Sequence, residues 1–340
     1  MKKMMRPSTS RFAVFTLVIL AVIAWSASGC KPPEKQAGPR EKITFAYSVS
    51  PNATLVHIAF AKGYFAEEGL DATPQPHAFG KLALNAAIEG KADFAASADT
   101  PIVLAVMNGK KITTLAVIQT ANRNEAIVAR QDRGIARPGD FLGKKIGVTF
   151  GTTSDFFAYS FLLFHGIDEK QVRRIGMNPD DMAEALSSGR VDAVSTWNPF
   201  LRELQKKLGS KGVIFFGETI YTETICVAAT QEYVKKHPET IKKVLRALIK
   251  AETFVKQRPK ESQRLVAEFT KTDKTVLEDT WDVSTFKVAL DQALLVNFED
   301  QARWVMRNRL ATRTDMPNYL DFIYDYGLRS VKPEAVRIVR

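Results

Sequence analysis

From residue 43 onward, short apolar runs of β character alternate with stretches of helical period. Ile43, Phe45 and Tyr47 fall on every second position of residues 43–49, which predicts a half-buried strand. Residues 54–65 follow as a helix, with Asn52 or Thr54 as its cap and Gly69 beyond its end. The pattern then predicts a strand over 70–74, a helix over 81–89, and strands over 92–96, 112–119 and 126–130. The plan repeats as strand 145–149, helix 154–164, strand 172–176, helix 181–187 and strand 193–196. Strands alternating with helices argue for parallel α/β sheets. Residues 224–230 read as a buried strand. From Pro238 the period turns helical, with Ile241, Val244, Leu245, Leu248 and Ile249 on one face. Further helices are expected near 261–269, 286–309 and 319–327.

The chain also echoes itself. Gly90-Lys91-Ala92-Asp93 is matched by Gly189-Arg190-Val191-Asp192, and Gly69-Leu70-Asp71 by Gly166-Ile167-Asp168. Two echoes at nearly one spacing predict two lobes built alike. The expected boundaries are 43–130 plus 224–340 for the first lobe and 131–223 for the second. Connections near Arg130 and near Tyr221 would form the hinge.

The N-terminus changes where such a protein works. Lys2, Lys3, Arg6 and Arg11 precede an apolar run over 12–25, and Ala27-Ser28-Gly29 stand before Cys30. This resembles a bacterial lipoprotein processing site. Residues 1–29 would be a signal peptide, Cys30 the lipidated residue, and 30–42, with Pro32, Pro33 and Pro39, a stiff anchor and tether. The run is shorter than the roughly 20 residues that span a bilayer. A short membrane anchor and a plain secretory signal are the alternatives. Lipidation would place the protein on the periplasmic or extracellular face, lipid-anchored to a cell membrane.

Composition narrows the function. The formal charge is +11, and the four basic residues of the leader leave about +7 on the rest. No basic run with interleaved aromatics appears, so nucleic-acid binding is a poor reading. Besides Cys30 the chain has only Cys226, which leaves no intrachain disulfide. His57, His77, His165 and His237 have no metal-ligand spacing, and no phosphate loop or nucleophile elbow occurs. No metal and no cofactor are expected.

Residues 61–71 (AKGYFAEEGLD), the two echoed segments, Leu142-Gly143-Lys144-Lys145-Ile146-Gly147 and Trp197-Asn198-Pro199 together resemble the nitrate/sulfonate/taurine solute-binding family of ABC importers. The resemblance covers about residues 43–331. It implies an α/β periplasmic-binding-protein (Venus flytrap) fold with two parallel-sheet lobes, a hinge and C-terminal helices. It also implies a small-molecule ligand in the interlobe cleft, a membrane permease as partner, and a monomer.

Ligands of such folds collect at the carboxyl ends of strands. That rule selects Ser48 and Asn52 after the first strand, and Gly80 and Lys81 at a helix start. It also selects Ser97 and Asp99, and their counterparts Trp197 and Asn198, after the echoed strands. Thr152, Thr153 and Ser154 behind Gly151 are the preferred anion site, because helix starts present free N–H groups. Glu223 lies at the presumed hinge. Helix capping by Asn52, a solvated Lys81, a core Trp197 and a hinge-bracing Glu223 are the structural alternatives. The signs conflict: Lys81 favours an anion, whereas Asp99 and Glu223 would repel one. A zwitterion or a neutral polar heterocycle would satisfy both. His57 faces either the cleft or the packed interior, and nothing in the sequence places Arg123. No catalytic group is needed. The competing functions are an enzyme resembling thiamine-pyrimidine synthases, and a ligand-sensing lipoprotein of the same fold.

Overall fold

The computed structural model describes Met1 and residues 39–339. Cys30, nearly all of the expected signal peptide and nearly all of the expected tether lie outside the described residues. The strands are β1 (Glu41–Ser48), β2 (Leu70–His77), β3 (Phe94–Ala98), β4 (Ile112–Ala121), β5 (Glu125–Arg130), β6 (Lys145–Val148), β7 (Arg173–Gly176), β8 (Ala193–Trp197), β9 (Gly212–Phe216), β10 (Glu223–Thr230) and β11 (Ser284–Ala289). They form a six-stranded sheet in the order β11-β4-β10-β3-β1-β2 and a five-stranded sheet in the order β7-β6-β8-β5-β9.

With β11 set aside, the two orders correspond strand for strand. The expected likeness of the lobes is therefore present in the topology. β1, β2 and β3 run parallel in one sheet, and β6, β7 and β8 in the other. The sheets are not wholly parallel, however. β10 runs antiparallel to β3 and β4, β11 to β4, and β5 to β8 and β9. The reason is connectivity. β3 and β8 end where the sheets meet, whereas β5 and β10 begin there after crossing from the other sheet, so each must run the opposite way.

The crossing points differ from expectation. β5 pairs within the second sheet, so the chain crosses at residues 122–124 and not at Arg130. It returns at 217–222, and β10 starts at Glu223. An apolar stretch such as Ala126–Ala129 fits a core strand of either sheet, and its pattern carries no information about which. Three further readings are corrected. Residues 284–289 form strand β11, and the helix runs only over Gln292–Arg307. Residues 319–327 divide into a 3-10 turn (Tyr319–Phe322) and the start of a helix (Asp325–Val331). The helices Asp99–Met107 and Phe200–Leu208 and strand β9 were not expected.

The echoed aspartates do the same work twice. Asp93 Oδ2 accepts the amide N–H of Thr44 at 2.7 Å, and the Asp93 amide donates to Thr44 O. Asp192 Oδ2 accepts from Lys145 N at 2.9 Å, and the Asp192 amide donates to Lys145 O. Each aspartate thus pins the first strand of its sheet to the third. Asp93→Ala should cost about 1–3 kcal/mol by stranding a strand amide, and Asp192→Ala about 0.5–1.5 kcal/mol, because water reaches the exposed Lys145 bond. Chemical denaturation checks this, and an unchanged midpoint in both variants would contradict it.

The larger core is built on β1, where Phe45 is fully buried and its ring lies 5.7 Å from Phe94 and 5.8 Å from Phe65. In the second sheet Ala126, Val128 and Val194 pack with Met182, Leu186, Leu201 and Leu204. Helix Thr153–Phe164 carries Phe156, Phe157 and Phe161 inward and joins the larger cluster. Both sheets are therefore braced along the line where they meet.

Candidate functional site where the sheets meet

The carboxyl ends of β1, β3 and β8 and the amino ends of β5 and β10 converge on one buried cavity. It is lined by Asn52, Gly80, Lys81, Ser97, Thr152, Thr153, Trp197 and Glu223, together with Phe79, Ala96, Ala98, Pro101 and Ile225. Its volume is about 20 Å3. That holds roughly one water molecule, so the lobes are closed on each other. Eight of the twelve expected residues thus meet in one place.

The other four do not border it. Ser48 Oγ lies 2.8 Å from Ser50 Oγ, and Ser50 Oγ donates to Asn52 Oδ1 at 2.7 Å, so Ser48 acts behind Asn52. Ser154 Oγ donates to Ser195 O at 2.7 Å and accepts from Thr149 N at 3.2 Å, which ties the helix start to β8 and β6. Asn198 stands one residue past β8, half-buried and away from the cavity. Asp99 opens a buried helix and not a loop. It is fully buried and accepts from Thr100 N, from Tyr221 Oη at 2.5 Å and from Asn297 Nδ2 at 2.5 Å.

Close approach explains Gly80. A Cβ there would sit 3.2 Å from Ser97 Cα and 3.4 Å from Ser97 Oγ, so a side chain would push the helix start off β3. Gly151 has φ +70°, the left-handed region, and a Cβ would lie 2.8 Å from Lys81 Nζ. Lys81 Nζ donates to Phe150 O at 2.8 Å. A helix of the first lobe is thereby fastened to a loop of the second. Burial pushes the Lys81 ammonium down, and Asp155 opposes that.

The expected anion site looks different in detail. Thr152 Oγ1 donates to Thr149 O at 2.7 Å, and Thr153 Oγ1 donates to Glu125 Oε1 at 2.5 Å. With Ser154 bonded to Ser195, all three hydroxyl protons are spent on protein acceptors. Asp155 is also committed, accepting from Gly151 N at 3.1 Å and from Arg174 Nη1 at 2.7 Å.

Trp197 is the last residue of β8 and is buried. Its ring lies 6.2 Å from Phe79 and 5.9 Å from Phe200, so it forms a wall between the lobes. His57 is interior. Its Nε2 lies 3.0 Å from Ser48 O, and its ring is 5.3 Å from Tyr47 and from Phe269. Burial pushes its pKa down to about 4, so the ring is neutral. Arg123 belongs to the first crossing. Its Nε lies 3.0 Å from Glu218 Oε1 on the second crossing, and its guanidinium covers the Phe216 ring.

Sequence reasoning missed Glu125. It heads β5 and is buried beside Glu223, whose Oε2 accepts from Asn124 Nδ2 at 2.7 Å. Burial and the Glu223 charge hold Glu125 well above the ordinary carboxyl range. Burial and the Asp99 charge push Glu223 up to about 8. Burial raises Asp99 to about 6, against the hydrogen bonds from Tyr221 and Asn297. Asn297 and Gln301 were missed as well. Gln301 Nε2 donates to Asn297 Oδ1 at 2.8 Å, and both lie on helix Gln292–Arg307. The available signal was polarity at apolar positions: a charge before an alanine-rich strand, and two amides four residues apart on a core-facing helix.

Known proteins are similar to this chain in sequence and in fold. A putative binding protein of Brucella abortus is 27% identical over 231 residues, covering 66% of this chain and 70% of that one. A putative aliphatic sulfonates-binding protein of Bacillus subtilis is 24% identical over 269 residues, covering 77% and 80%. The fold matches that of the alkanesulfonate-binding protein SsuA from Xanthomonas axonopodis pv. citri, solved with MOPS bound, with a TM-score of 0.73. That match has 16% identity and covers 83% of this chain and 98% of that one. The two-lobe solute-binding-protein fold expected from the sequence is therefore present. The family model described as NMT1/THI5 like matches residues 50–262, and the chain belongs to that family.

Proposed function

We propose that the protein is the extracytoplasmic solute-capturing component of an ABC importer. It takes up a small polar or charged organic solute, of the sulfonate, taurine, nitrate or pyrimidine kind, by closing two lobes over it. The observation that carries this reading is the cavity lined by opposite lobes, with Asn52, Ser97 and Glu223 from one and Thr152, Thr153 and Trp197 from the other. The two crossings at 122–124 and 217–222 are the covalent links between sheets, and links of this kind act as hinges. Parting the lobes would break the Lys81 bond to Phe150 O and separate Phe79 from Trp197. A bound solute would occupy that gap, and a permease would read the difference between open and closed forms. Cys30 would carry the lipid that keeps the protein beside its permease.

Binding needs no catalytic group, and the chemistry of the site fits that. Cys226 is fully buried on β10, and burial holds its thiol well above its ordinary value, so it is not a nucleophile.

A thermal-shift screen of residues 30–340 tests the proposal. A solute present at about one hundred times its Kd should add about 2.7 kcal/mol of stability and raise the Tm visibly. Trp197→Ala should abolish most of that shift, because the wall between the lobes is lost. Failure of sulfonates, zwitterions, nitrate and pyrimidines alike to move the Tm would overturn the reading.

A further inference from the structure

We propose that Glu223, backed by Glu125 and flanked by Ser97, forms a subsite for a protonated nitrogen, so that the captured solute is a cation or a zwitterion and not a simple anion. This rests on the solute-capture reading and narrows it. Glu223 and Ser97 border the cavity, and both are buried beyond nine-tenths. Ser97 Oγ and Glu125 Oε2 have no hydrogen-bond partner among the described residues. Buried polar atoms without partners are uncommon and costly. Here two of them stand at one junction, one on a cavity wall and one on the carboxyl behind it. A ligand N–H in the cavity would reach Ser97 Oγ and the Glu223 carboxyl on its wall, with Glu125 behind them.

The buried ionisable groups at this junction, Asp99, Glu125 and Glu223, are all acidic. Asp99 on its helix raises Glu223 on β10, and Glu223 and Asp99 both raise Glu125 on β5, while Tyr221 and Cys226 are neutral groups beside Asp99. The cations of the neighbourhood are engaged elsewhere. Lys81 bonds Phe150 O, Arg123 pairs with Glu218, and Arg174 pairs with Asp155 and Glu169. The hydroxyl protons of Thr152 and Thr153 are spent on Thr149 O and Glu125, so what those oxygens offer a ligand is lone pairs. Lys81, also on the cavity wall, would meet an acidic end if the solute carries one. In the empty protein burial keeps Glu223 protonated at neutral pH. An ammonium or amidinium ion would ionise it and release a proton to solvent.

Matched probes test this on the protein of residues 30–340: taurine against ethanesulfonate, and benzamidine against benzamide, by titration calorimetry at pH 7. The nitrogen-cation member should bind at least about tenfold more tightly than its partner. Its heat should differ between phosphate and Tris by the amount expected for a released proton. Glu223→Gln should weaken that member by about tenfold or more and remove the buffer dependence. Glu125→Gln, which removes the carboxyl behind Glu223, should also weaken that member and serves if the first variant does not fold. Ethanesulfonate binding as tightly as taurine, or binding of either cation that ignores both substitutions, overturns the subsite and leaves solute capture standing. If none of the four probes, and no sulfonate, nitrate or pyrimidine, binds, solute capture fails and the subsite fails with it.

Discussion

Raising the pH from about 6.5 to about 8.5 should lower the Tm of the ligand-free protein by several degrees, and Glu223→Gln should remove most of that slope. The sign follows from linkage. Glu223 has a folded pKa of about 8, against an ordinary carboxyl value of 4.5. The folded state therefore holds a proton that the unfolded chain has released. Its contribution is fully present below about 4.5 and is lost as the pH rises through about 8. For a fully buried carboxyl this is worth a few kcal/mol in order of magnitude. Glu125 shifts in the same direction and should leave a residual slope in the single variant. His57 works the other way. Its pKa is depressed to about 4, so its contribution is lost as the pH falls below about 6.5, outside the chosen window. The protein has a second way to relieve the ionised pair, which is to part its lobes. Small-angle scattering over the same range separates the two responses, since opening raises the radius of gyration without unfolding. A wild-type Tm that stays flat with no change in radius would refute the assignment, as would a slope that survives Glu223→Gln/Glu125→Gln.

Trp304→Ala should destabilise the protein by about 3–5 kcal/mol, among the largest single losses available. Trp304 is 2% exposed and sits on helix Gln292–Arg307 of the first lobe. Its ring lies 5.3 Å from Phe156 and 6.2 Å from Tyr159, both on helix Thr153–Phe164 of the second lobe. Phe156 is in turn 5.4 Å from Tyr221, whose hydroxyl donates to Asp99. Truncation would empty the apolar joint behind the cavity and unseat the group that holds Asp99. Urea denaturation gives the loss, and scattering should show a larger mean radius for the folded variant. A loss below about 1 kcal/mol would mean that the joint repacks without the indole.

Much of this fold was legible because its signals are local. Alternation in β1 and the helical period after Pro238 follow from contacts near in sequence, and the paired Gly-x-x-Asp segments are short motifs readable on their face. The echo also carried long-range information, because Asp93 and Asp192 each bond a strand about fifty residues away. What stayed hidden depends on partners distant in the chain. The sheet to which β5 belongs is decided by β8 and β9, and the antiparallel sense of β10 by where the chain re-enters. Phe286, Val288 and Ala289 are apolar and β-compatible but adjoin a strongly helical stretch, and only the free edge of β4 makes this segment a strand. At the cavity, the strand-end rule found Ser97 and Trp197, and the hinge reading found Glu223. The strand-end rule misjudged Asp99 and Ser154 because sequence cannot say whether a polar side chain at a strand end points inward or back into the protein. Glu125 escaped notice because a single acid before Ala126–Ala129 looks like an ordinary strand boundary.

The interleaving of the two sheets has a bearing on how the chain is made. The five strands of the second sheet lie within residues 125–216, uninterrupted, whereas the first sheet needs β10 and β11 and closes only at residue 289. During synthesis or export the later-starting lobe is therefore the first able to finish, while β1 to β4 wait, with their central gap unfilled, for about one hundred residues more, until β10 is made. For that interval the vacant slot between β3 and β4 is an adhesive edge, and it is there that a holding chaperone would have most to protect.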